Sequence, residues 1–275
     1  MLFIEGQLQS IVQQKDVNVT VFISVDKSSD GTYEWCCDYA KNNHQVKILP
    51  YGKQFGGAAP NFFRLIKDVN FLNFDYVALA DQDDIWLSNK LSTACKIIEA
   101  DDLAGYSSNV MAFWSDGREQ LIDKAQSQRK YDYLFESAGP GCTYVMRVNP
   151  LTELKKYLLL KEKEVSQVIL HDWFIYAFFR AKGYKWFINP DYKMRYRQHD
   201  KNQVGVNRGL AACLKRLNLV QSGWYKQQVS IISQLIELED PIVNSKWAVL
   251  KNIKHTRRRL QDRVMLFFAV LLGVY

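Results

Sequence analysis

Apolar positions in the first two hundred residues recur with helical spacing in some stretches and with strand spacing in others. Ile4, Leu8 and Ile11 share one helical face, whereas residues 17–25 alternate between apolar and polar side chains and predict a strand. Further helices are predicted over 32–42, 87–100, 151–163 and 171–183, and further strands over 46–49, 76–80, 110–114, 144–146, 184–188 and 194–199. This alternation as far as residue 150 predicts an α/β fold with a mixed, mostly parallel sheet flanked by helices. From residue 208 onward the pattern is helical.

The apolar run at residues 76–80 leads directly into three carboxylates, Asp81, Asp83 and Asp84. The run has no helical period and predicts a buried parallel strand, and open α/β sheets bind ligands just past the carboxyl ends of such strands. Clustered carboxylates repel each other unless a cation or a set of donors holds them, and oxygen ligands on a tight turn suit a hard divalent ion that also binds a diphosphate. The alternative is that Asp83, Asp84 and Ser88 cap a helix beginning near Leu87.

Composition allows one large α/β domain, or one domain with an appendage, because the chain has 275 residues of which 48% are hydrophobic. The net charge of +7 is unevenly distributed. Residues 201–275 contain 12 Lys and Arg against 4 Asp and Glu, whereas residues 1–200 are nearly neutral. Such asymmetry indicates an anionic partner surface, either membrane or nucleic acid. The interleaving of aromatic and basic residues typical of an RNA-binding sheet is missing, which disfavours nucleic acid.

The five cysteines form no CxxC pair, so we expect reduced thiols in the cytosol and neither a disulfide framework nor a zinc site. The start of the chain has no basic segment followed by an apolar run, which gives no indication of a signal peptide. No stretch reaches the roughly 18 apolar residues of a membrane-spanning helix.

Several short motifs follow one another in a recognisable order. They are Gln7-Leu8-Gln9-Ser10-Ile11, Ser24-Val25-Asp26 with Ser29-Asp30-Gly31-Thr32, Asp81-Gln82-Asp83-Asp84-Ile85-Trp86, His171-Asp172-Trp173 and Arg197-Gln198-His199. This order resembles glycosyltransferase family 2, which has the GT-A nucleotide-sugar fold, and most closely its bacterial rhamnosyltransferase-type members. The resemblance covers residues 3–205, and the Asp-Gln-Asp-Asp-Ile-Trp motif is its most specific part.

The resemblance implies that the donor is a nucleotide sugar held with Mn²⁺ or Mg²⁺. Asp26 would accept hydrogen bonds from the base or ribose; the alternative is an ordinary Asx turn. Asp81 and Asp83 would lie at the ribose and the metal, with Asp83 as the direct ligand. His199 would be a second ligand, the alternative being a strand histidine hydrogen-bonded at the surface.

The resemblance also implies where transfer takes place. Asp172 would be the general base that takes the proton from the acceptor hydroxyl; the alternative is an N-cap for a helix beginning at Trp173, and the two roles are compatible. Gly141 and Cys142 would let the backbone approach the donor sugar, unless they form only a Gly-Pro-Gly turn. The implied reaction is an inverting single displacement that moves a sugar, rhamnose being the candidate, to a polysaccharide or lipid-linked glycan.

One departure from the family concerns the first strand. Family members begin with a central strand and a short loop before the helix that starts here near Phe3. We therefore expect the neighbouring strands to lack a ladder partner, at a cost wherever their backbone is buried. The alternative function that this leaves open is a catalytically inactive glycan- or nucleotide-binding relative.

The end of the chain places Lys251, Lys254, the arginines at 257–259 and Arg263 just before the apolar run 264–272. Nine apolar residues are too few to span a bilayer but suit an interfacial helix, with lysine and arginine at anionic headgroups. The alternative is a helix packed on the protein's own core. We expect a transferase domain over residues 1–205 and a basic helical extension over 206–275, located peripherally on the cytoplasmic face of a bacterial plasma membrane.

Overall fold

The computed structural model describes residues 3–199, 223–238, 241–243 and 245–273. The helices of these residues are α1 (Ile4–Val12), α2 (Thr32–Lys41), α3 (Ala58–Asp68), α4 (Lys90–Ala100), α5 (Asp132–Phe135), α6 (Val148–Leu160), α7 (Glu162–Val165), α8 (His171–Ala181), α9 (Trp224–Leu235), α10 (Lys246–Lys251) and α11 (Leu260–Leu271). The strands are β1 (Val21–Ile23), β2 (Val46–Ile48), β3 (Tyr76–Ala78), β4 (Ile85–Trp86), β5 (Gly105–Phe113), β6 (Glu119–Ile122), β7 (Val145–Arg147) and β8 (Trp186–Arg197).

The predicted elements that fall on described residues are present, but several boundaries differ, and the helical pattern predicted for 208–222 lies outside the described residues. The alternation over residues 17–25 gives only the three-residue strand β1, and the helix after the acidic turn begins at Lys90. The two strands predicted over 184–188 and 194–199 are one strand, β8, which keeps pairing with β5 through local irregularities of register. β6 was not predicted, because its alternating pattern lies in a polar segment.

The strands form two sheets. β1 and β2 pair in parallel, whereas the larger sheet has the order β3-β7-β5-β8-β4, and β6 pairs with residues 110–113 of β5. Only the β5–β8 pair of the larger sheet is parallel; its other four pairs are antiparallel. The α/β class and mixed sheet are thus as predicted, but the mostly parallel arrangement is wrong. The antiparallel pairs arise because turns replace some of the helical crossovers after residue 100. One example is the turn through Gly117, at φ 86°, where the chain reverses from β5 into β6.

β3 was predicted to be buried, and this is wrong, because all three of its residues are half-buried. On one side β3 pairs with β7, and no other described strand pairs with it. The edge-to-face contact between Phe22 of β1 and Phe74, with ring centroids 6.1 Å apart, brings β1 close to the start of β3. Within the part of the chain that the structure describes, no strand pairs with both β1 and β3. The absence of a central first strand stays a prediction.

The main hydrophobic core is built around α8, in which every residue from Trp173 to Phe179 is buried. α3 packs on one side of it and contributes Phe62 and Phe63. Val229 and Ile232 of α9 and Leu266 of α11 belong to the same cluster, so the C-terminal helices complete this core. The predicted division of the chain at residue 205 lies outside the described residues and stays a prediction.

Of the arginines near the C-terminus, Arg257 and Arg258 form ion pairs within the protein, whereas the membrane contact itself stays a prediction. The side chain of Arg258 is fully buried and forms ion pairs with Asp132 at 3.1 Å and Glu136 at 3.4 Å. Arg257 lies 3.4 Å from Asp262 and 3.8 Å from Glu136. These contacts satisfy carboxylates that would otherwise be buried unpaired. Among the described helices, none combines the length and the hydropathy needed to cross a bilayer.

Candidate functional site

The acidic turn between β3 and β4 is fixed to the end of β8. The Asp84 carboxylate is fully buried and accepts a hydrogen bond from the backbone N–H of Arg197 at 3.1 Å. The Arg197 guanidinium in turn donates from Nε to the backbone carbonyl of Asp83 at 2.9 Å. The helix that follows begins at Lys90 after Asn89, with no side-chain cap. The interpretation of Asp83 and Asp84 as helix caps is therefore wrong.

Asp83 and His199, the two predicted metal ligands, lie next to each other. The Oδ2 atom of Asp83 is 2.8 Å from Nε2 of His199, and the His199 ring stacks on Phe3 with centroids 5.3 Å apart. Both side chains reach solvent, being 11% and 26% exposed. A carboxylate oxygen and an imidazole nitrogen about 3 Å apart match neighbouring ligands of a small divalent cation with bonds of about 2.1 Å. The pair therefore fits the predicted Mn²⁺ or Mg²⁺.

A second group lies deeper, where Asp81, Asp84 and Cys142 offer atoms that are all within 4.8 Å of one another. In this network the second carboxylate oxygen of Asp84, Oδ2, is buried without a hydrogen-bond partner. Burial raises the pKa of the thiol well above its usual value, and the two carboxylates raise it further. Burial and the neighbouring Asp83 raise the pKa of Asp81 to about 7. This carboxylate–thiol network places a protonated thiol beside the carboxylates, which makes it a poorer match for a hard cation than the pair of Asp83 and His199.

Lys90 stands beside this network and was not singled out from the sequence. Its side chain is fully buried, its Nζ atom lies 3.4 Å from the centroid of the Trp86 ring, and this nitrogen has no hydrogen-bond partner. Burial lowers the pKa of Lys90 to about 7, and Cys142, Asp84 and Asp81 act in the opposite direction. A lysine four positions after Trp86 carries no distinctive signal in the sequence, because such spacing is common on exposed helix faces.

Gly141 and Cys142 form a short 3-10 turn that lies directly against α8. A Cβ atom on Gly141 would be 2.5 Å from Nε2 of His171 and 3.3 Å from Cβ of Asp172, so only glycine fits there. The His171 ring stacks on Phe62 of α3 with centroids 4.0 Å apart, and its Nε2 atom is buried without a partner. This turn thus joins the carboxylate network to the start of α8.

Asp172, the predicted base, is the second residue of α8 and does not cap it, since the N-cap position is Leu170. Its Oδ1 atom accepts a hydrogen bond from the backbone N–H of Trp173 at 2.8 Å. Burial raises the pKa of Asp172 to about 6, against the lowering effect of that hydrogen bond and of the Lys124 charge. A carboxylate with a raised pKa is a stronger base and is still mostly ionised at neutral pH.

Asp26 ties two loops together. Its carboxylate accepts hydrogen bonds from the backbone N–H groups of Phe55 at 2.6 Å and Gly56 at 2.9 Å, and from that of Lys27 at 3.1 Å. The contact with Lys27 alone is local, so the Asx-turn interpretation describes only a part of what Asp26 does. A carboxylate has about four acceptor positions, which leaves room for a ligand donor.

Arg64 of α3 organises the neighbouring loops and was also missed in the sequence. It is 7% exposed, donates to the Ser24 hydroxyl at 2.7 Å and to the carbonyl of Pro50, and lies over the Phe55 ring with its guanidinium carbon 5.0 Å from the centroid. Arg64 thus holds the loops that follow β1 and β2 against one helix. The helical apolar pattern around it gave no reason to expect a buried arginine.

Comparison with known proteins identifies relatives of the whole chain. The family model for glycosyl transferase family 2 matches residues 3–184. The dTDP-rhamnosyl transferase RfbG of Shigella flexneri is 40% identical over 282 residues, which covers 99% of this chain and 97% of RfbG. The UDP-Glc:alpha-D-GlcNAc-diphosphoundecaprenol beta-1,3-glucosyltransferase WfgD of Escherichia coli is 21% identical over 145 residues, or 52% of this chain and 54% of WfgD.

Solved structures support the fold. Residues 1–349 of TarS from S. aureus, in complex with UDP-GlcNAc, match with a TM-score of 0.54 and 12% identity, over 99% of this chain and 84% of that one. The mannosyltransferase PcManGT from Pyrobaculum calidifontis, in complex with GDP-Man and Mn²⁺, matches with a TM-score of 0.54 and 14% identity, over 99% and 76%. The predicted GT-A fold is confirmed by these neighbours.

Proposed function

Because this chain belongs to glycosyl transferase family 2, we propose that it transfers a rhamnosyl group from dTDP-rhamnose to a hydroxyl of a glycan acceptor, with inversion at the anomeric carbon. The chain is a glycosyltransferase. The choice of donor is supported by the 40% identity to the dTDP-rhamnosyl transferase RfbG over nearly the full length of both chains.

The observation that supports the proposal is a row of functional groups that runs from Asp172 to His199. Asp172 contacts the Gly141–Thr143 turn, whose Cys142 reaches Asp81 and Asp84, and the adjoining Asp83 contacts His199. One end of this row offers a base, and the other offers two ligands for a cation. A nucleotide sugar lying along it would have its diphosphate at Asp83 and His199 and its sugar toward Gly141.

In the proposed reaction the Asp172 carboxylate takes the proton from the acceptor hydroxyl. The acceptor oxygen then forms a bond to the anomeric carbon on the face opposite the diphosphate, and the bond from that carbon to the diphosphate oxygen breaks. A single displacement of this kind gives inversion and needs one base. The raised pKa of Asp172 strengthens that base.

Asp83 and His199 would hold a divalent cation, which when bound offsets the charge on the departing nucleoside diphosphate. The neighbour PcManGT was solved with GDP-Man and Mn²⁺, which supports a divalent ion for this chain also. Asp26 would accept a hydrogen bond from the base or ribose while it keeps the loop at Phe55 and Gly56 in place.

For the acceptor we propose a glycan attached to a membrane lipid. WfgD acts on a sugar linked to diphosphoundecaprenol, and it shares 21% identity with half of this chain. Such an acceptor would be met at the cytoplasmic face of a bacterial plasma membrane, as expected from the charge of residues 201–275.

The donor is tested by calorimetric titration of dTDP, UDP and GDP with Mn²⁺, and with EDTA in place of the metal. We expect dTDP to bind most tightly and to lose affinity in EDTA.

Turnover is tested with dTDP-rhamnose and a membrane lipid extract. Release of dTDP is the signal, and NMR gives the anomeric configuration of the product. Tighter binding of UDP or GDP would rule out dTDP-rhamnose as the donor. A product that retains the anomeric configuration of the donor would rule out the single displacement. Metal-dependent dTDP binding without any turnover would favour a non-catalytic relative.

A further inference from the structure

The outward side of α11 is apolar and exposed. Leu266 and Val270 of this helix are 5% and 2% exposed and belong to the main core. The other side carries large apolar side chains that are between 45% and 73% exposed: Leu260, Val264, Met265, Phe268, Leu271 and, just past the helix, Leu272. Their spacing of three and four positions makes one stripe along the helix, which we call the α11 stripe. A contiguous exposed apolar stripe on a helix that is anchored in the core marks an interaction surface.

Trp247 extends this surface. Its side chain is 79% exposed and lies on α10, which packs against α11. A Cβ atom on Gly273 would be 3.3 Å from Nζ of Lys246, so the start of α10 lies at the end of the α11 stripe. Tryptophan is enriched where a protein crosses from the apolar to the polar part of a membrane interface, since its ring is apolar and its N–H is polar.

The exposed charges of residues 245–273 have one sign. The arginines at 257 and 258 are used in internal ion pairs, as described above, and the single carboxylate of the segment, Asp262, is 25% exposed and contacts Arg257. The exposed charged residues are Lys246, Lys251 and Lys254, and Arg259 and Arg263 are half-buried. An apolar stripe bordered by lysines and lacking an exposed carboxylate complements an anionic lipid surface.

We propose that the α11 stripe and Trp247 insert into the headgroup region of an anionic lipid bilayer, with Lys246, Lys251 and Lys254 contacting lipid phosphates. This assignment differs from the one based on sequence, in which the whole basic cluster faced the membrane. It does not depend on the donor or on the chemistry proposed above.

A second copy of this chain is the other occupant that an apolar stripe could have. In a twofold dimer the same patch meets itself, which would bring the three lysines of each copy toward those of the other with no carboxylate to offset them. A bilayer has no such repulsion. The charge pattern therefore favours the lipid surface.

Flotation with vesicles tests the proposal, using phosphatidylethanolamine vesicles with and without phosphatidylglycerol. We expect the full chain to float with the anionic vesicles and to be partly released by high salt. Serine at Val264, Phe268 and Leu272 together should lower binding at least about tenfold, because three exposed apolar groups are lost. Truncation is unsuitable, since it would also remove Leu266 and Val270 from the core. Glutamine at the three lysines should reduce only the salt-sensitive part.

The matched control carries serine at three exposed leucines elsewhere: Leu72, Leu121 and Leu160, which are 67%, 44% and 78% exposed. We expect it to bind vesicles like the parent chain. Circular dichroism of both triple variants should match that of the parent, as no core residue is changed. The proposal is overturned if the parent does not float, if the α11 variant floats as well as the parent, or if both triple variants lose binding equally. Sedimentation velocity that shows a dimer of the parent, but a monomer of the α11 variant, would assign the stripe to a second copy.

Discussion

The Nε2 atom of His199 lies 2.8 Å from the Oδ2 atom of Asp83, although 116 positions separate the two residues in the chain. The contact depends on the pairing of β4 with β8 and on the hydrogen bonds of Arg197, which bring the end of β8 to the acidic turn. Two candidate ligands of different chemistry are thereby held next to each other. Their position makes metal dependence the first property to test.

Alanine at Asp83 should abolish the metal-dependent part of dTDP binding, because it removes the proposed oxygen ligand and keeps only the imidazole of His199. In calorimetric titrations we expect the variant's Kd to be the same with Mn²⁺ as with EDTA. The control is alanine at Asp38, an exposed carboxylate of α2 that pairs with Lys41. That variant should keep the metal dependence of the parent. An Asp83 variant that still gains affinity from Mn²⁺ would contradict the assignment of Asp83 as a ligand.

Asparagine at Asp172 should lower transfer by about 10²–10⁴-fold and leave dTDP binding unchanged. Asparagine keeps the size of the side chain and its hydrogen bond from the N–H of Trp173, but it cannot accept a proton. Rates of dTDP release with acceptor measure the first effect, and titration of dTDP measures the second. Asparagine at the exposed Asp116 serves as the control. Near-parental transfer by the Asp172 variant would show that this residue supports the local structure of α8 and is not the base.

The pH dependence of transfer should report the same carboxylate. Burial raises the pKa of Asp172 to about 6, and only the ionised form can accept a proton. We therefore expect kcat/KM to be constant above neutral pH and to fall as the pH drops through about 6, tenfold for each further unit. The residual activity of the asparagine variant should not show this fall. If kcat/KM of the parent stays constant down to pH 5, Asp172 is not the group that takes the proton.

Several site residues could be predicted because short motifs at strand and helix ends are local properties of the sequence. Asp81, Asp83 and Asp172 each follow such a boundary, and the structure places them there, although their roles remain proposals. Contacts between distant segments could not be predicted in this way. Nothing near Lys90 or Arg64 indicates that these side chains are buried, because their burial depends on how α3 and α4 pack against the loops. Strand direction was mispredicted for a similar reason, since it depends on tertiary pairing rather than on the pattern of one segment.

The surroundings of the C-terminal helix also could not be predicted from the sequence. Its apolar run permitted either a core helix or a membrane-binding helix, and the structure buries one face in the core and leaves the other exposed. The run of arginines looked like surface charge, yet Arg258 is fully buried because Asp132 and Glu136, more than 120 positions earlier, supply its partners. Composition alone cannot distinguish a solvated charge from one that is paired inside the fold.

Alanine at Gly141 should impair function more than stability. The added Cβ would lie 2.5 Å from Nε2 of His171, so the ring or the turn must move, and Asp172 is the next residue. We expect a loss of stability of about 1–3 kcal/mol by chemical denaturation and a larger relative loss of transfer, since small displacements of a catalytic group are costly. Alanine at Gly6 is the matched control, because its Cβ would meet Ile85 Cδ1 at an ordinary 3.5 Å within helix α1. Equal activity of the two variants would show that the turn tolerates a side chain.

Methionine at Arg258 should destabilise the fold by about 3–5 kcal/mol, because it leaves Asp132 and Glu136 with fewer partners in a buried position. The side chain also donates to the carbonyl of Ser137 at 2.6 Å, so the segment from Asp132 to Ser137 loses several of its contacts with the C-terminal region. Urea denaturation should show this as a lower midpoint.

The control for Arg258 is methionine at the exposed Lys251, which should leave the midpoint unchanged. A second variant that adds glutamine at Glu136 should recover part of the loss, since it removes one of the carboxylates left without its cation. Arg180 remains 3.2 Å from Asp132 and can hold the other. If the Arg258 variant unfolds at the same urea concentration as the parent, the ion pairs of this arginine contribute no net stability to the fold.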